Sequence, residues 1–213
     1  MLKSLEVEGW MVTDLSDKVT SCDEAYGVTT TPRPIGAQAR SIFVLERGDD
    51  KDGSPDNCVH FGQKVRVTTN AQLMHKPLYL HSVPITPLAY ARFSRNQEVS
   101  FINQKVYNTM WAVQPVYGNL KERQGEVVRA GEPIMLAHCA TSQYLFTDRI
   151  DYRNQFGIEY EVSALCAATK SKTQILANEG KGVQVRENVH KSVPQQNYWV
   201  IELSSDPATN EPI

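Results

Sequence analysis

The sequence predicts an all-β protein, and three observations support this prediction. Short apolar stretches rich in β-branched and aromatic residues recur along the chain, separated by Pro, Gly, Asn or Asp. No window keeps the 3.6-residue apolar period of an amphipathic helix over a helical length. Two parts of the chain also repeat the same order of strand-like segments. Many short strands separated by turns are typical of a barrel or a sandwich.

The N-terminal residues 1–33 are expected to form an extended arm, because they are polar and run into a proline-containing stretch. A charged, turn-forming loop follows at residues 47–56. Residues 34–203 are predicted to form one domain, and residues 204–213 a C-terminal tail. The strand candidates are residues 41–45, 65–68, 78–80, 99–102, 111–113, 134–137, 144–146, 160–164, 174–176 and 198–201.

Composition excludes several classes of function. The 213 residues are long enough to bury a core without a disulfide or metal, and 41% are hydrophobic and 22% charged. A net charge of −2 gives no reason to expect nucleic-acid binding. No run of 18 apolar residues predicts a membrane span, and the acidic start lacks the apolar segment of a secretory signal. The four cysteines form no C-x-x-C pair, so we expect free thiols and no metal centre.

The internal repeat occupies residues 61–113 and 130–201. Each copy has a strand after a glycine, then a Tyr-Leu pair, then Glu-Val-Ser, and finally a tryptophan. Such repetition implies a pseudo-symmetric assembly around a shared core. We expect Trp111 and Trp199 to lie in that core, because tryptophan within a strand pattern is usually buried.

The second copy resembles an MIR repeat. The residues that carry this resemblance are Gly131-Glu132-Pro133-Ile134-Met135-Leu136-Ala137-His138-Cys139-Ala140-Thr141-Ser142-Gln143-Tyr144-Leu145, followed by Glu161-Val162-Ser163. MIR repeats build β-trefoils in mannosyltransferases and in inositol-trisphosphate and ryanodine receptors. The resemblance therefore implies an MIR-like β-trefoil with long loops over residues 34–203.

A larger ordered set of segments is similar to the cilia- and flagella-associated protein 161 family and covers roughly residues 30–203. Members of that family carry a further glycine-start strand, which residues 1–30 of this chain lack. The first lobe is therefore expected to be shortened or completed by a partner. The matching segments are Pro34-Ile35-Gly36, His60-Phe61-Gly62-Gln63-Lys64-Val65, Leu78-Tyr79-Leu80-His81-Ser82, Gln97-Glu98-Val99, Asn108-Thr109-Met110-Trp111-Ala112, Leu136-Ala137-His138-Cys139 and Asn197-Tyr198-Trp199-Val200.

This resemblance implies a structural role without catalysis or a cofactor. Members of the family are microtubule inner proteins of the ciliary and flagellar axoneme, and they contact tubulin on the luminal face of the A-tubule of doublet microtubules, together with neighbouring inner proteins. Basic loop residues are the candidate contacts, since loops can vary without disturbing a β core. These residues are Arg92, Arg95, Arg149, Arg153, Lys170, Lys172, Arg186 and Lys191.

The alternative is a module that binds a small ligand, a glycan or an inositol phosphate, as other MIR domains are thought to do. This function requires Arg or Lys side chains that converge on one pocket. Arg92 and Arg95 bracket one loop, but the sequence does not show whether their side chains converge.

Enzymatic chemistry has weak support in the sequence. His138 and Cys139, with Asp148, suggest a nucleophile and base, but neighbouring strand residues point to opposite faces. Residues 180–182 (Gly-Lys-Gly) lack the spacing of a phosphate-binding loop. Glu159 and Glu161 share a strand face without an identifiable cleft. We therefore predict no catalytic, cofactor-binding or metal-binding residues.

Overall fold

The computed structural model describes residues 1–19, 24–33, 38–48, 56–71, 74, 76–166 and 193–203. These residues are almost entirely β, which confirms the all-β prediction, with one short α-helix, α1 (Leu120–Arg123), and 3₁₀ turns at Tyr107–Thr109 and Gln195–Asn197. The strands are β1 (Leu2–Ser4), β2 (Trp10–Lys18), β3 (Tyr26–Thr31), β4 (Phe43–Arg47), β5 (Lys64–Thr69), β6 (Tyr79–Ser82), β7 (Gln97–Ile102), β8 (Trp111–Pro115), β9 (Pro133–His138), β10 (Leu145–Asn154), β11 (Gly157–Ala164) and β12 (Trp199–Ile201).

Every strand candidate that falls within the described residues overlaps an observed strand, from β4 to β12. The candidate at residues 174–176 and the tail at 204–213 lie outside the described residues.

The prediction of an extended arm at residues 1–33 is wrong, because this segment supplies β1, β2 and β3. Leu2, Met11 and Val28 are buried in the common core. The polar appearance of the segment misled the prediction: its threonines are β-branched, which favours strands, and they find buried partners. Thr29 is 1% exposed and donates its hydroxyl hydrogen to the Glu159 carboxylate at 2.6 Å.

Antiparallel pairings close the sheet into a ring of ten strands. The order around the ring is β11-β3-β2-β1-β12-β9-β8-β5-β6-β7, and β7 pairs with β11 again. Strand β10 pairs with β11 outside this ring, and β4 pairs with β5.

The twelve strands fall into three consecutive groups of four, here called lobes: lobe 1 is β1–β4, lobe 2 is β5–β8 and lobe 3 is β9–β12. In each lobe the second and third strands form a hairpin. The third strands β3, β7 and β11 all pair with one another. The two copies of the sequence repeat are lobes 2 and 3, so the repeat corresponds to a repeated set of strands.

Two tryptophans fix the last strand of lobes 2 and 3 to the hairpin of the same lobe. Trp111 and Trp199 are both fully buried. The indole N–H of Trp111 donates to the Leu80 carbonyl at 2.9 Å, and that of Trp199 donates to the Leu145 carbonyl at 3.0 Å. The expectation that both rings lie in the core is confirmed.

Lobe 1 departs from this arrangement. Phe43 begins β4, where lobes 2 and 3 have tryptophan, and its ring stacks on Phe101 with 5.3 Å between centroids. Phenylalanine has no N–H to donate. Pairings join β5 to β8 and β9 to β12, but the described residues show no pairing between β1 and β4. The first lobe therefore has four strands and an incomplete set of pairings.

Two buried histidines lie among polar partners in the core. Nε2 of His138 faces the Asn108 carbonyl at 3.0 Å, and Nδ1 faces the Thr141 hydroxyl at 2.8 Å. His81 lies beside the Ser100 hydroxyl at 3.4 Å. Burial lowers the pKa of both rings; for His81, with further repulsion from His138, it lowers the pKa from 6.5 to about 4.

We expect stability to fall on acidification because of His81. Above pH 6.5 the ring is neutral in the folded and unfolded chains, whereas between pH 6.5 and pH 4 only the unfolded chain takes up the proton. The free energy of unfolding should therefore decrease across this range, as measured by urea denaturation. The variant His81→Gln should show a shallower decrease, and His138 and the Met1 amino group, whose pKa values burial also lowers, contribute to the remainder. Identical pH dependence in the two proteins would contradict this assignment.

Candidate functional site

A cleft of about 540 Å³ lies where the third strands of the three lobes meet. Each of β3, β7 and β11 contributes two consecutive lining residues, and the second is a buried valine in all three. The valines form a short apolar floor. The six residues are Gly27-Val28, Glu98-Val99 and Glu161-Val162.

Gly27 replaces the glutamate of the other two lobes and makes room for Asp17. A Cβ atom added at Gly27 would lie 2.7 Å from the Oδ2 atom of Asp17, so a larger residue would displace this carboxylate. In lobe 1 a carboxylate from β2 therefore occupies the space beside Gly27, whereas in lobes 2 and 3 a glutamate of β7 or β11 lines the cleft.

The loop between β6 and β7, residues 83–96, forms one wall of the cleft. Glu161 anchors this loop, because its carboxylate accepts the backbone N–H groups of Phe93 and Ser94, each at 2.8 Å. Glu161 is only 4% exposed. Arg95 in the same loop has a φ of +62°, which is unusual for a residue other than glycine.

Asp17 joins the loop to the opposite wall. Its carboxylate lies 3.3 Å from the Arg92 guanidinium and also accepts the phenolic hydrogen of Tyr152. Phe93 packs edge-on against the Tyr152 ring, with 5.4 Å between centroids. Burial, as the larger cause, and the hydrogen bond to Asp17, as the smaller one, raise the pKa of the Tyr152 phenol, so the phenol is neutral.

Basic, acidic and aromatic groups thus line one cleft. The Arg95 guanidinium lies 4.4 Å from the centroid of the Tyr90 ring, and that of Arg92 lies 5.4 Å from the Tyr152 ring. The charged and aromatic lining residues are Lys18, Tyr90, Arg92, Arg95, Glu98, Tyr152 and Glu161. Such a mixture can bind a polar ligand through hydrogen bonds while an aromatic face covers its apolar side.

The structure brings together two of the predicted contact residues, Arg92 and Arg95. Arg149 and Arg153 are exposed on β10 and do not line the cleft. A guanidinium nitrogen of Arg149 lies 3.5 Å from the Glu6 carbonyl. The remaining four, Lys170, Lys172, Arg186 and Lys191, fall outside the described residues.

The groups weighed for catalysis have structural partners where they are described. Glu159 is 1% exposed and pairs with Arg40 at 2.8 Å, and it also accepts hydrogen bonds from Thr29 and Asn154. His138 is held by Asn108 and Thr141 as described above. The glycines and lysine at residues 180–182 lie outside the described residues.

The described part of the chain lacks two further features. It contains no group of three or more His, Cys, Asp or Glu residues placed to hold a metal ion. None of its helices has the length and apolarity needed to cross a membrane.

Sequence reasoning missed most of the cleft. Asp17 and Lys18 lie in the segment that was predicted to be an arm, and Tyr152 carried no motif. The repeated Glu-Val pair was the one available signal, because it placed Glu98 and Glu161 at equivalent positions.

Solved structures share this fold at low sequence identity. An SDF2-like protein from Arabidopsis thaliana matches with a TM-score of 0.61 and 17% identity, over 95% of this chain and 92% of that one. A Caenorhabditis elegans protein of unknown function matches with a TM-score of 0.64 and 17% identity, over 94% of this chain and 91% of that one. The S. cerevisiae protein O-mannosyltransferase Pmt1-Pmt2 complex bound to the sugar donor matches with a TM-score of 0.62 and 17% identity. The match covers 100% of this chain and 26% of that one.

These neighbours are SDF2-like and MIR-domain proteins, so the chain has an MIR-like fold. They give no support to the narrower resemblance to the cilia- and flagella-associated protein 161 family. No protein-family model and no curated protein matches the sequence.

Proposed function

We propose that the chain is a non-enzymatic binding module of the MIR type, built as a β-trefoil. Three hairpins in three lobes, with their third strands paired to one another, are the observation that supports the trefoil. The likeness to SDF2-like and MIR-domain structures supports an MIR-type module.

The function that the geometry supports best is the binding of a small polar ligand in the cleft between β3, β7 and β11. The observation that carries this proposal is the convergence of Lys18, Arg92 and Arg95 on one cleft that also holds carboxylates and aromatic rings. A module that binds a small ligand requires such convergence of Arg or Lys side chains on one pocket.

Between the two ligand classes, the cleft suits a glycan better than an inositol phosphate. Asp17 already neutralises Arg92, and the Glu98 and Glu161 carboxylates would repel phosphate groups. Carboxylates accept hydrogen bonds from sugar hydroxyls, and arginine can donate to them. The rings of Tyr90 and Tyr152 add apolar faces beside these polar groups.

Titration of the purified chain tests this function. We expect calorimetry to detect binding of a neutral oligosaccharide at Kd values below about 1 mM and weaker binding of inositol phosphates. Arg95→Ala should weaken binding about tenfold or more, since it removes a donor at the cleft. Arg153→Ala is the matched control, because this exposed arginine on β10 lies outside the lining. Equal affinity of the two variants, or no binding of any sugar, would contradict the proposal.

A second candidate is a structural inner protein of axonemal doublet microtubules in cilia or flagella. The ordered set of segments similar to the cilia- and flagella-associated protein 161 family favours this role. In this proposal the chain binds the luminal face of A-tubule tubulin and neighbouring inner proteins through basic surface residues. Arg149 and Arg153 suit such contacts, because both are exposed on β10.

A tagged copy in ciliated cells tests the second candidate. The tagged chain should stay with axonemes after detergent extraction and should contribute density inside the doublets. Arg149→Glu together with Arg153→Glu should weaken this retention, whereas Arg95→Ala should leave it unchanged, since Arg95 belongs to the cleft. A copy that remained diffuse would argue against a microtubule role without touching the ligand-binding proposal.

A further inference from the structure

The mouth of the cleft carries a tight apolar turn in the loop between β6 and β7. The N–H of Ala89 donates to the Thr86 carbonyl at 3.2 Å, and the N–H of Thr86 donates to the Ala89 carbonyl at 3.0 Å. Pro87 and Leu88 therefore occupy the two central positions of the turn, where the fixed φ of proline favours the first position. The Thr86 hydroxyl also accepts the N–H of Ala89 at 3.0 Å. These hydrogen bonds fix the position of the two tip residues.

Both tip residues line the cleft, and both are exposed. Leu88 is 82% exposed, more than any other large hydrophobic side chain among the described residues. The turn itself is anchored by Ala89 and Ala91, whose side chains are buried. A leucine that is held at the rim of a cleft leaves apolar area in water, and a ligand in the cleft can cover that area.

Apolar lining continues from this rim into the cleft. Val19 and Ala91 line it together with the three buried valines of the floor. The rim itself is uncharged, since none of the five consecutive exposed residues 84–88 carries a charge. The cleft therefore offers an uncharged apolar surface in addition to its charged groups and its two tyrosine rings.

A sugar alone would not use this apolar surface. Its hydroxyls match the charged groups of the cleft, and the rings of Tyr90 and Tyr152 suffice for its small apolar face. Val19, Pro87 and Leu88 then remain as lining residues without a role in sugar binding. An apolar group attached to the sugar would contact these residues and remove their apolar area from water.

We propose that the ligand of the cleft is an amphiphilic glycoside, a neutral sugar that carries an apolar group; this inference rests on the proposed binding of a glycan. The sugar lies among the charged and aromatic groups of the cleft. The apolar group leaves the cleft across Pro87 and covers the side chain of Leu88. A soluble glycoside and the headgroup region of a membrane glycolipid share this chemistry.

Calorimetry of the full chain with methyl and octyl β-glycosides of glucose, galactose and mannose tests the proposal. For a sugar that binds, the octyl glycoside, kept below its micelle concentration, should bind at least about tenfold more tightly than the methyl glycoside, since burial of about two methylene groups accounts for this factor. Leu88→Ser should reduce the octyl-to-methyl affinity ratio about fivefold or more. Leu203→Ser is the matched control and should keep the ratio, because Leu203 is 70% exposed and does not line the cleft.

Vesicles distinguish the two sources of such a ligand. Retention of the chain on phosphatidylcholine vesicles that carry a diacylglycerol glycoside of the same sugar would support a membrane glycolipid. Binding of the monomeric octyl glycoside without this retention would support a soluble glycoside. Because Leu88 is exposed, Leu88→Ser should keep the circular dichroism of the unmodified chain. If it does not, the octyl-to-methyl ratio of the unmodified chain still decides the outcome.

Several results would overturn the proposal. Equal affinity for the methyl and octyl glycosides would remove the apolar group and leave the glycan-binding function in place. An unchanged ratio in Leu88→Ser would place the octyl chain away from the turn. Equally tight binding of an octyl oligoethylene glycol ether, which has the chain without the sugar, would show that the sugar contributes nothing. Absence of glycoside binding would overturn the proposal as well, and the oligosaccharide titration then shows whether the proposed function fails with it.

Discussion

The architecture depends on the two buried indole N–H groups that tie the last strand of a lobe to the hairpin of the same lobe. Trp111 bonds to the Leu80 carbonyl and Trp199 to the Leu145 carbonyl, and both rings are fully buried. Loss of either ring would remove this buried hydrogen bond and leave a large cavity, although the Leu145 carbonyl also accepts the side-chain amide of Asn197 at 3.1 Å. The ring of strands and the cleft above it both rest on these anchored lobes.

Lobe 1 supplies the features that distinguish this chain from three equal repeats. Phe43 replaces the tryptophan, and within the described residues β4 pairs with β5 and not with β1. Gly27 replaces the glutamate of the other lobes and leaves room for Asp17, which holds Arg92 and Tyr152 at the cleft. A departure from the repeat therefore lies at the cleft proposed for ligand binding. This coincidence is expected when a symmetric core provides stability and an irregular lobe provides specificity.

The sequence predicted lobes 2 and 3 well because their markers are local. A Tyr-Leu pair, a Glu-Val-Ser triplet and a tryptophan lie at the same places in β6 to β8 and in β10 to β12. Lobe 1 was missed because a threonine-rich strand looks polar, although Thr29 is buried against Glu159. The cleft was largely hidden for a different reason. Tyr152 meets Asp17 across 135 residues of sequence, and one sequence read alone carries no signal for such a contact.

The unfolding free energies of three tryptophan variants test the central role of the indole anchors most directly. Trp111→Ala and Trp199→Ala should each lower the free energy of unfolding by about 3–5 kcal/mol in chemical denaturation. Trp10→Ala is the control, because the Trp10 ring is only half-buried and its N–H bonds to the Glu202 carboxylate near the surface. Losses at Trp111 and Trp199 no larger than the loss at Trp10 would contradict the claim that these two rings hold the lobes together.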